Sequence, residues 1–261
     1  MSETILFEQQ GSIGTMTFNR PAVFNAMNNE LILALRDTTA SLRSSTTLRV
    51  LIVKGAGKAF LAGGDVGQFH KQLDTVADNV KAMGDALHEA IISIRNFPFP
   101  VIAQIHGAVA GAGFSLALAC DFAIAADNAQ FSTAYTKIGV SPDGGSTFFL
   151  PRLVGMRKAA ELIMLSEAIT GTEAAAIGLV NRAVPADQLD TEVQKLAARL
   201  ANGATQAYAR AKRLINQSYM TPIQRHLDDE IAFFAECAST DDFREGVTAF
   251  VEKRKPTFTG T

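Results

Sequence analysis

Apolar and polar residues alternate around Ile5 and Phe7 and again around Met16 and Phe18, which predicts a β-hairpin turning over Gly11 to Gly14. Asn28-Asn29-Glu30 then reads as a helix cap, with Leu31, Leu33, Leu35 and Leu42 along the helix it opens. The run Val50-Leu51-Ile52-Val53 ends in Lys54-Gly55-Ala56-Gly57, the signature of a buried strand and its turn. Met83, Leu87, Ile91 and Ile94 recur at helical spacing and predict a helix over 75–96. Val101 to Ile105 is the next strand, the glycine-rich stretch 107–113 feeds a helix through Ala119, and Phe122 to Ala125 is a further strand. Strands alternating with helices predict an α/β fold with largely parallel strands. From Arg157 onward the pattern is mostly helical, over 159–165, 171–178, 189–202, 206–219 and 222–238, with Thr221-Pro222 opening the last long helix. The chain therefore divides into an α/β body, 1–200, and a helical C-terminal segment, 201–261, with no internal repeat at solenoid period, no linker and no low-complexity tract.

Composition narrows the partners. The 261 residues carry 24 Lys+Arg against 26 Asp+Glu, a formal charge of -2 that draws the chain neither to nucleic acid nor to an anionic membrane. Hydrophobic residues make up 48%, enough for a core that needs neither disulfide nor metal. Cys120 and Cys237 lie far apart, which argues against a disulfide scaffold and suits a cytoplasmic location. The start Met1-Ser2-Glu3-Thr4 lacks the basic residues and apolar run of a signal peptide. Nothing between Arg95 and Asp121 is charged, yet Pro98, Pro100, Gln104, His106 and three glycines fit a membrane span poorly. A buried strand running through a glycine loop into a buried helix is the expectation there. His70, His88, His106 and His226 show no metal-ligand spacing, so no metal is expected.

Two glycine-rich turns carry the candidate chemistry: Ala59-Phe60-Leu61-Ala62-Gly63-Gly64-Asp65, and His106 through Phe114. Neither is a P-loop or a full dinucleotide fingerprint. Small residues there either let a helix and strand pack closely or let N–H groups converge on one oxygen as an oxyanion hole, and the pattern leaves both open.

These turns are part of a longer series: Arg20-Pro21 with Asn25-Ala26-Met27, the Ala59–Asp65 turn, His106 through Leu118-Ala119-Cys120-Asp121, Ala129-Gln130-Phe131-Ser132, Gly178-Leu179-Val180-Asn181, and Ala249-Phe250-Val251-Glu252-Lys253-Arg254. In this order they resemble the crotonase (enoyl-CoA hydratase/isomerase) superfamily, over nearly the whole chain. The resemblance implies a crotonase-like spiral of ββα units with a helical C-terminal trimerisation segment, assembled as a homotrimer or a dimer of trimers. It implies acyl-CoA thioester substrates, with CoA as part of the substrate and no separate cofactor. The enolate oxygen would be held by the N–H of Leu61 or its neighbour Ala62 and by that of Ala112 beside Gly111. Asn25, Ala26, Gly63, Gly64, Asp65, Gly111, Phe114 and Tyr135 would line the substrate site. Phe234, Phe250 and Lys253 match positions that touch the CoA of a neighbouring subunit; a solvated helix end explains the run from Glu252 to Lys255 equally well.

The same resemblance bears on the reaction. The family's hydratases use two glutamates, whose places are taken here by Ser115 and Tyr135. Neither replaces a carboxylate as an acid or base at neutral pH, so efficient hydration is not expected. Asp143, in the loop Gly139 to Ser146, reads by itself as an Asp-Gly turn residue, but it matches the single carboxylate of the family's Δ3,Δ2-enoyl-CoA and ring isomerases. The expectation is therefore an isomerase in which Asp143 shuttles one proton in a water-poor pocket; Phe114, Phe148, Phe149 and Leu150 would wall it, though core packing explains them equally well. Ring opening or closure, weak hydration, and CoA binding without turnover are the alternatives. Asp65 and Asp121 are expected to serve structure, as a cap or turn and as a hydrogen-bonding anchor.

Overall fold

The structure, a computed structural model, describes residues 4–261; Met1-Ser2-Glu3, part of the start read above for a signal peptide, lies outside them. The hairpin forms as β1 (Ile5–Gln10) and β2 (Ile13–Phe18), paired antiparallel from Ile5 opposite Phe18 to Gln10 opposite Ile13. The turn is accordingly Gly11-Ser12, with Gly14 inside β2. In α1 (Asn29–Leu42) the Asn28 side chain accepts from the N–H of Leu31, and Leu31, Leu35, Thr39 and Leu42 are buried along one face. Leu33 lies off that face and is exposed.

Next come β3 (Val50–Gly55), β4 (Ala59–Leu61), α2 (Val66–Lys71), α3 (Val76–Asn96), β5 (Val101–Ile105) and β6 (Ala108–Ala110). Then follow α4 (Ala112–Ala119), β7 (Phe122–Ala126), β8 (Gln130–Ser132), α5 (Ser146–Val154), α6 (Met156–Leu165) and β9 (Ile169–Thr170). The chain continues through α7 (Gly171–Ala176), β10 (Arg182–Val184), α8 (Leu189–Ala201), α9 (Thr205–Gln217), α10 (Ile223–Ala238) and α11 (Asp241–Val251). So α10 is not the last helix: Thr240 caps α11 with its hydroxyl on the N–H of Phe243.

The strands build two sheets. One runs β1-β2-β3-β5-β7-β10, parallel throughout except for the hairpin; the other runs β4-β6-β8-β9. Each pass of the chain (β3 then β4, β5 then β6, β7 then β8) lays one strand in each sheet, which is the predicted ββ repeat. The passes begin at Val50, Val101 and Phe122, so their unequal spacing hides the repeat from any search for a fixed period.

Burial accounts for the uncharged stretch. All residues of β5 and α4 are buried, with no exposed face to hold a charge. Among the described residues no helix is long and apolar enough to cross a membrane. Lys212 of α9, itself buried, reaches Asp121 Oδ2 at 2.7 Å and donates to the carbonyls of Ile94 at 2.8 Å and Phe99 at 3.2 Å. This satisfies its three N–H groups and fastens α9 to the end of α3 and the start of β7.

Candidate active site

The two glycine turns meet. β4 and β6 are neighbours in the smaller sheet, so the turns that follow them emerge side by side. A side chain on Gly63 would begin 3.0 Å from the Ala110 carbonyl and 3.4 Å from Cα of Gly111, and Gly63 holds φ at +90°. One on Gly113 would begin 2.2 Å from the Leu61 carbonyl. The close-packing reading of these glycines is therefore correct, and the packing brings two stretches of bare backbone to one place. Ala112 is the first residue of α4, with Gly111 as its cap, so its N–H has no acceptor within the helix and sits at the helix's positive end.

The first turn is held from below by Arg20 through Met27. Met27 donates its N–H to Gly63 (2.7 Å) and accepts from Asp65 (2.9 Å), pairing with Gly64 as an isolated bridge. Ala26 gives its carbonyl to the Arg20 guanidinium, which also pairs with Asp65 at 3.3 Å. Asp65 in turn caps α2 by accepting from the N–H of Gln68. It thus holds the turn, as expected of it, and its carboxylate is engaged on both sides.

Three expectations need correction. Ala62 donates its N–H to the Phe24 carbonyl at 3.1 Å, so that hydrogen is committed to the turn and Leu61 is left as the candidate donor there. Asn25 does not line a substrate site: it is fully buried, its Oδ1 accepts from Arg20 N–H, and its Nδ2 donates to the carbonyls of Ala56, Ala59 and Phe60. Phe114 is a core residue, packed edge-on against Phe131, and Leu150 is fully buried. Phe148 and Phe149 line a different space, a cavity of about 800 Å³ at the far end of α4 with Arg95, Asp121 and Lys212. None of Leu61, Ala112, Tyr135 or Asp143 lines it, so size alone would misplace the chemistry.

Ser115, Tyr135 and Asp143 come together. Tyr135 Oη lies 2.5 Å from Asp143 Oδ1 and 3.0 Å from Ser115 Oγ, and Ser115 Oγ lies 2.9 Å from the Asp143 carbonyl. Ser115 and Tyr135 are buried; Asp143 is half-buried with Oδ1 turned inward. Burial, then the neighbouring Asp143 carboxylate, hold the Tyr135 phenol protonated well above the usual phenol range. Ser115 lies three residues into the helix from Ala112, about 4.5 Å along its axis. The sequence marked Ser115 only as a missing glutamate; that it would tie the Asp143 loop to α4 had no local signal.

Phe234 and Phe250 lie on the C-terminal helices α10 and α11, and Lys253 just past them. Phe234 on α10 packs edge-on with Phe243, and Phe250 at the end of α11 is 85% exposed. Among the described residues no group of three or more His, Cys, Asp or Glu is placed to hold a metal.

The profile of the enoyl-CoA hydratase/isomerase family matches residues 8–261. The chain belongs to this family, within the crotonase superfamily. It is 38% identical to a probable enoyl-CoA hydratase of Rhodobacter capsulatus, over 98% of both chains. It is 33% identical to the 1,2-epoxyphenylacetyl-CoA isomerase of Escherichia coli over the full length of both. A putative enoyl-CoA hydratase from Streptomyces coelicolor, solved by crystallography, superposes with a TM-score of 0.94 at 33% identity, covering 99% of this chain and 94% of that one. The chain is thus a crotonase-family acyl-CoA enzyme, with relatives named for both hydration and isomerisation.

Proposed function

We propose that the protein is an enoyl-CoA isomerase, moving a double bond of a chain or ring from the β,γ to the α,β position of a CoA thioester. Asp143 takes the proton from C2, the electron pair passes to the thioester oxygen under the N–H groups of Leu61 and Ala112, and the same carboxyl returns the proton at C4. Both steps balance with one acid/base group and need no group beyond the substrate's own CoA.

The observation that carries this reading is the bond from Ser115 Oγ to the Asp143 carbonyl at 2.9 Å, which fixes the Asp143 loop within one helical turn of Ala112. Hydration has the names of several relatives in its favour. Against it stands the cluster itself: at the two places where the resemblance puts glutamates there are a serine hydroxyl and a phenol kept protonated, and neither can activate water. The exposed apolar residues Ile223, Leu227, Ile231 and Phe234 along α10 support association of copies through the helical tail, as the trimer expectation has it.

Incubation with a β,γ-enoyl-CoA followed by mass spectrometry tests the proposal. Isomerisation leaves the mass unchanged while the conjugated thioester absorbance appears; no reaction with this substrate, together with a product heavier by one water from the matching α,β-enoyl-CoA, supports hydration instead. Asp143→Ala is expected to lower kcat by about two to four orders of magnitude with CoA binding retained.

A further inference from the structure

We infer that Tyr135 is a positioning residue for Asp143: its phenol pins one carboxylate oxygen, so that the other alone receives and returns the substrate proton. This rests on the reading of Asp143 as the proton carrier and adds the device that keeps the carried proton from solvent.

Three short contacts join Ser115, Tyr135 and Asp143, but the two hydroxyls supply only two hydrogens. An ionised carboxylate has no hydrogen to give, so the 2.5 Å contact is Tyr135 donating to Oδ1. The Ser115 hydrogen then goes to Tyr135 Oη at 3.0 Å or to the Asp143 carbonyl at 2.9 Å, and either choice links α4 to the Asp143 loop. Oδ2 makes no hydrogen bond among the described residues.

The consequence follows from how a carboxyl group works as a shuttle. When the C2–H bond breaks, the new O–H bond forms on Oδ2 and the electron pair moves to the thioester oxygen. Oδ1 remains an acceptor, so the Tyr135 bond survives in both protonation states. Free of that bond, the carboxyl turns about Cβ–Cγ and carries the new O–H toward solvent, where it exchanges before reaching C4. Tyr135 is suited to the role because it is buried beside Ser115 and stays a donor across the working pH range.

The test uses 3-hexenoyl-CoA deuterated at C2 and compares wild type, Tyr135→Phe and Asp143→Asn. Tyr135→Phe removes one oxygen from a site that keeps its ring packing. Its kcat is expected to fall about 10- to 100-fold with KM within about twofold of wild type, as misplacement of a reacting group costs. The share of deuterium delivered to C4 falls with it, the balance being lost to solvent. A Tyr135→Phe enzyme with wild-type kcat and deuterium delivery, or with a loss in KM alone, overturns the inference. If Asp143→Asn keeps wild-type activity, or the wild type isomerises neither this probe nor a ring-bearing β,γ-enoyl-CoA, the proposed function fails and takes the inference with it. If Asp143→Asn is inactive while Tyr135→Phe is normal, only the inference fails. Should Tyr135→Phe not fold, Ser115→Ala reads the same chain from its other end: lower kcat at constant KM with less deuterium at C4 supports the inference, and unchanged values overturn it.

Discussion

Gly63 and Gly111 stand face to face, with the Cα of Gly111 3.4 Å from where a side chain on Gly63 would begin. The carbonyl of Ala110 is closer still, at 3.0 Å, and φ of +90° at Gly63 is strained for any other residue. Gly63→Ala is therefore expected to cost about 2 kcal/mol in a denaturant melt. It should also push the turns apart and lower kcat by roughly tenfold or more, because donors to a developing oxyanion act only at short range. A variant that loses stability but keeps full kcat would mean the facing turns serve packing alone.

Asn25 offers a direct test of its corrected role. Its amide ties the Arg20 loop to the three carbonyls of Ala56, Ala59 and Phe60, just before Leu61. Asn25→Ala leaves those buried acceptors short of a donor and is expected to destabilise by about 3 kcal/mol. KM for an acyl-CoA should stay near wild type in the folded fraction. A large rise in KM at unchanged melting temperature would return Asn25 to the substrate site.

Lys212 and Asp121 form a pair shielded from water on both sides, their side chains 8% and 15% exposed. Replacing one partner of such a pair strands the other, so Lys212→Met is expected to cost about 3 kcal/mol. Asp121 keeps Arg95 at 4.0 Å and the N–H of Val101 at 2.8 Å, which temper the loss. Loss concentrated in α9, read by amide exchange, would show that this pair fastens the tail.

Glu245 governs the acid response of the C-terminal tail. Hydrogen bonds from Arg254 and then from the N–H of Thr257 hold its carboxyl at about 2, below the ordinary 4.5. A depressed carboxyl stabilises the fold above its unfolded pKa and loses that contribution as pH falls through the folded one. The difference in melting temperature between wild type and Glu245→Gln is thus expected to be constant above pH 4.5 and to shrink toward zero near pH 2. It should also shrink with salt, since the pair is exposed. A difference unchanged at low pH would count against the tie.

How much of this was legible varies by element, for physical reasons. β5 and α4 read clearly because burial on every side leaves an unbroken apolar run. β4, β6 and β8 did not, since three residues are too few to show a period. α5 escaped notice because Gly145, at φ +84°, precedes it and Pro151 lies inside it, both read as breakers. Asp143 was found by resemblance, but its bond to Tyr135 spans a 3-10 turn and a glycine-rich loop whose path no local pattern specifies.

The sequence by itself determined the α/β class, the helical tail and both glycine turns, because these depend on residue type and short-range spacing, while the candidate proton carrier Asp143 came from the family resemblance. The tertiary structure alone decided that Ala62 is committed to Phe24, that Asn25 braces a turn, that Phe114 belongs to the core, and that Ser115 and Tyr135 hold Asp143. Each of those depends on where one hydrogen or one ring finds its partner across a folded interior, and chain order does not encode such distances.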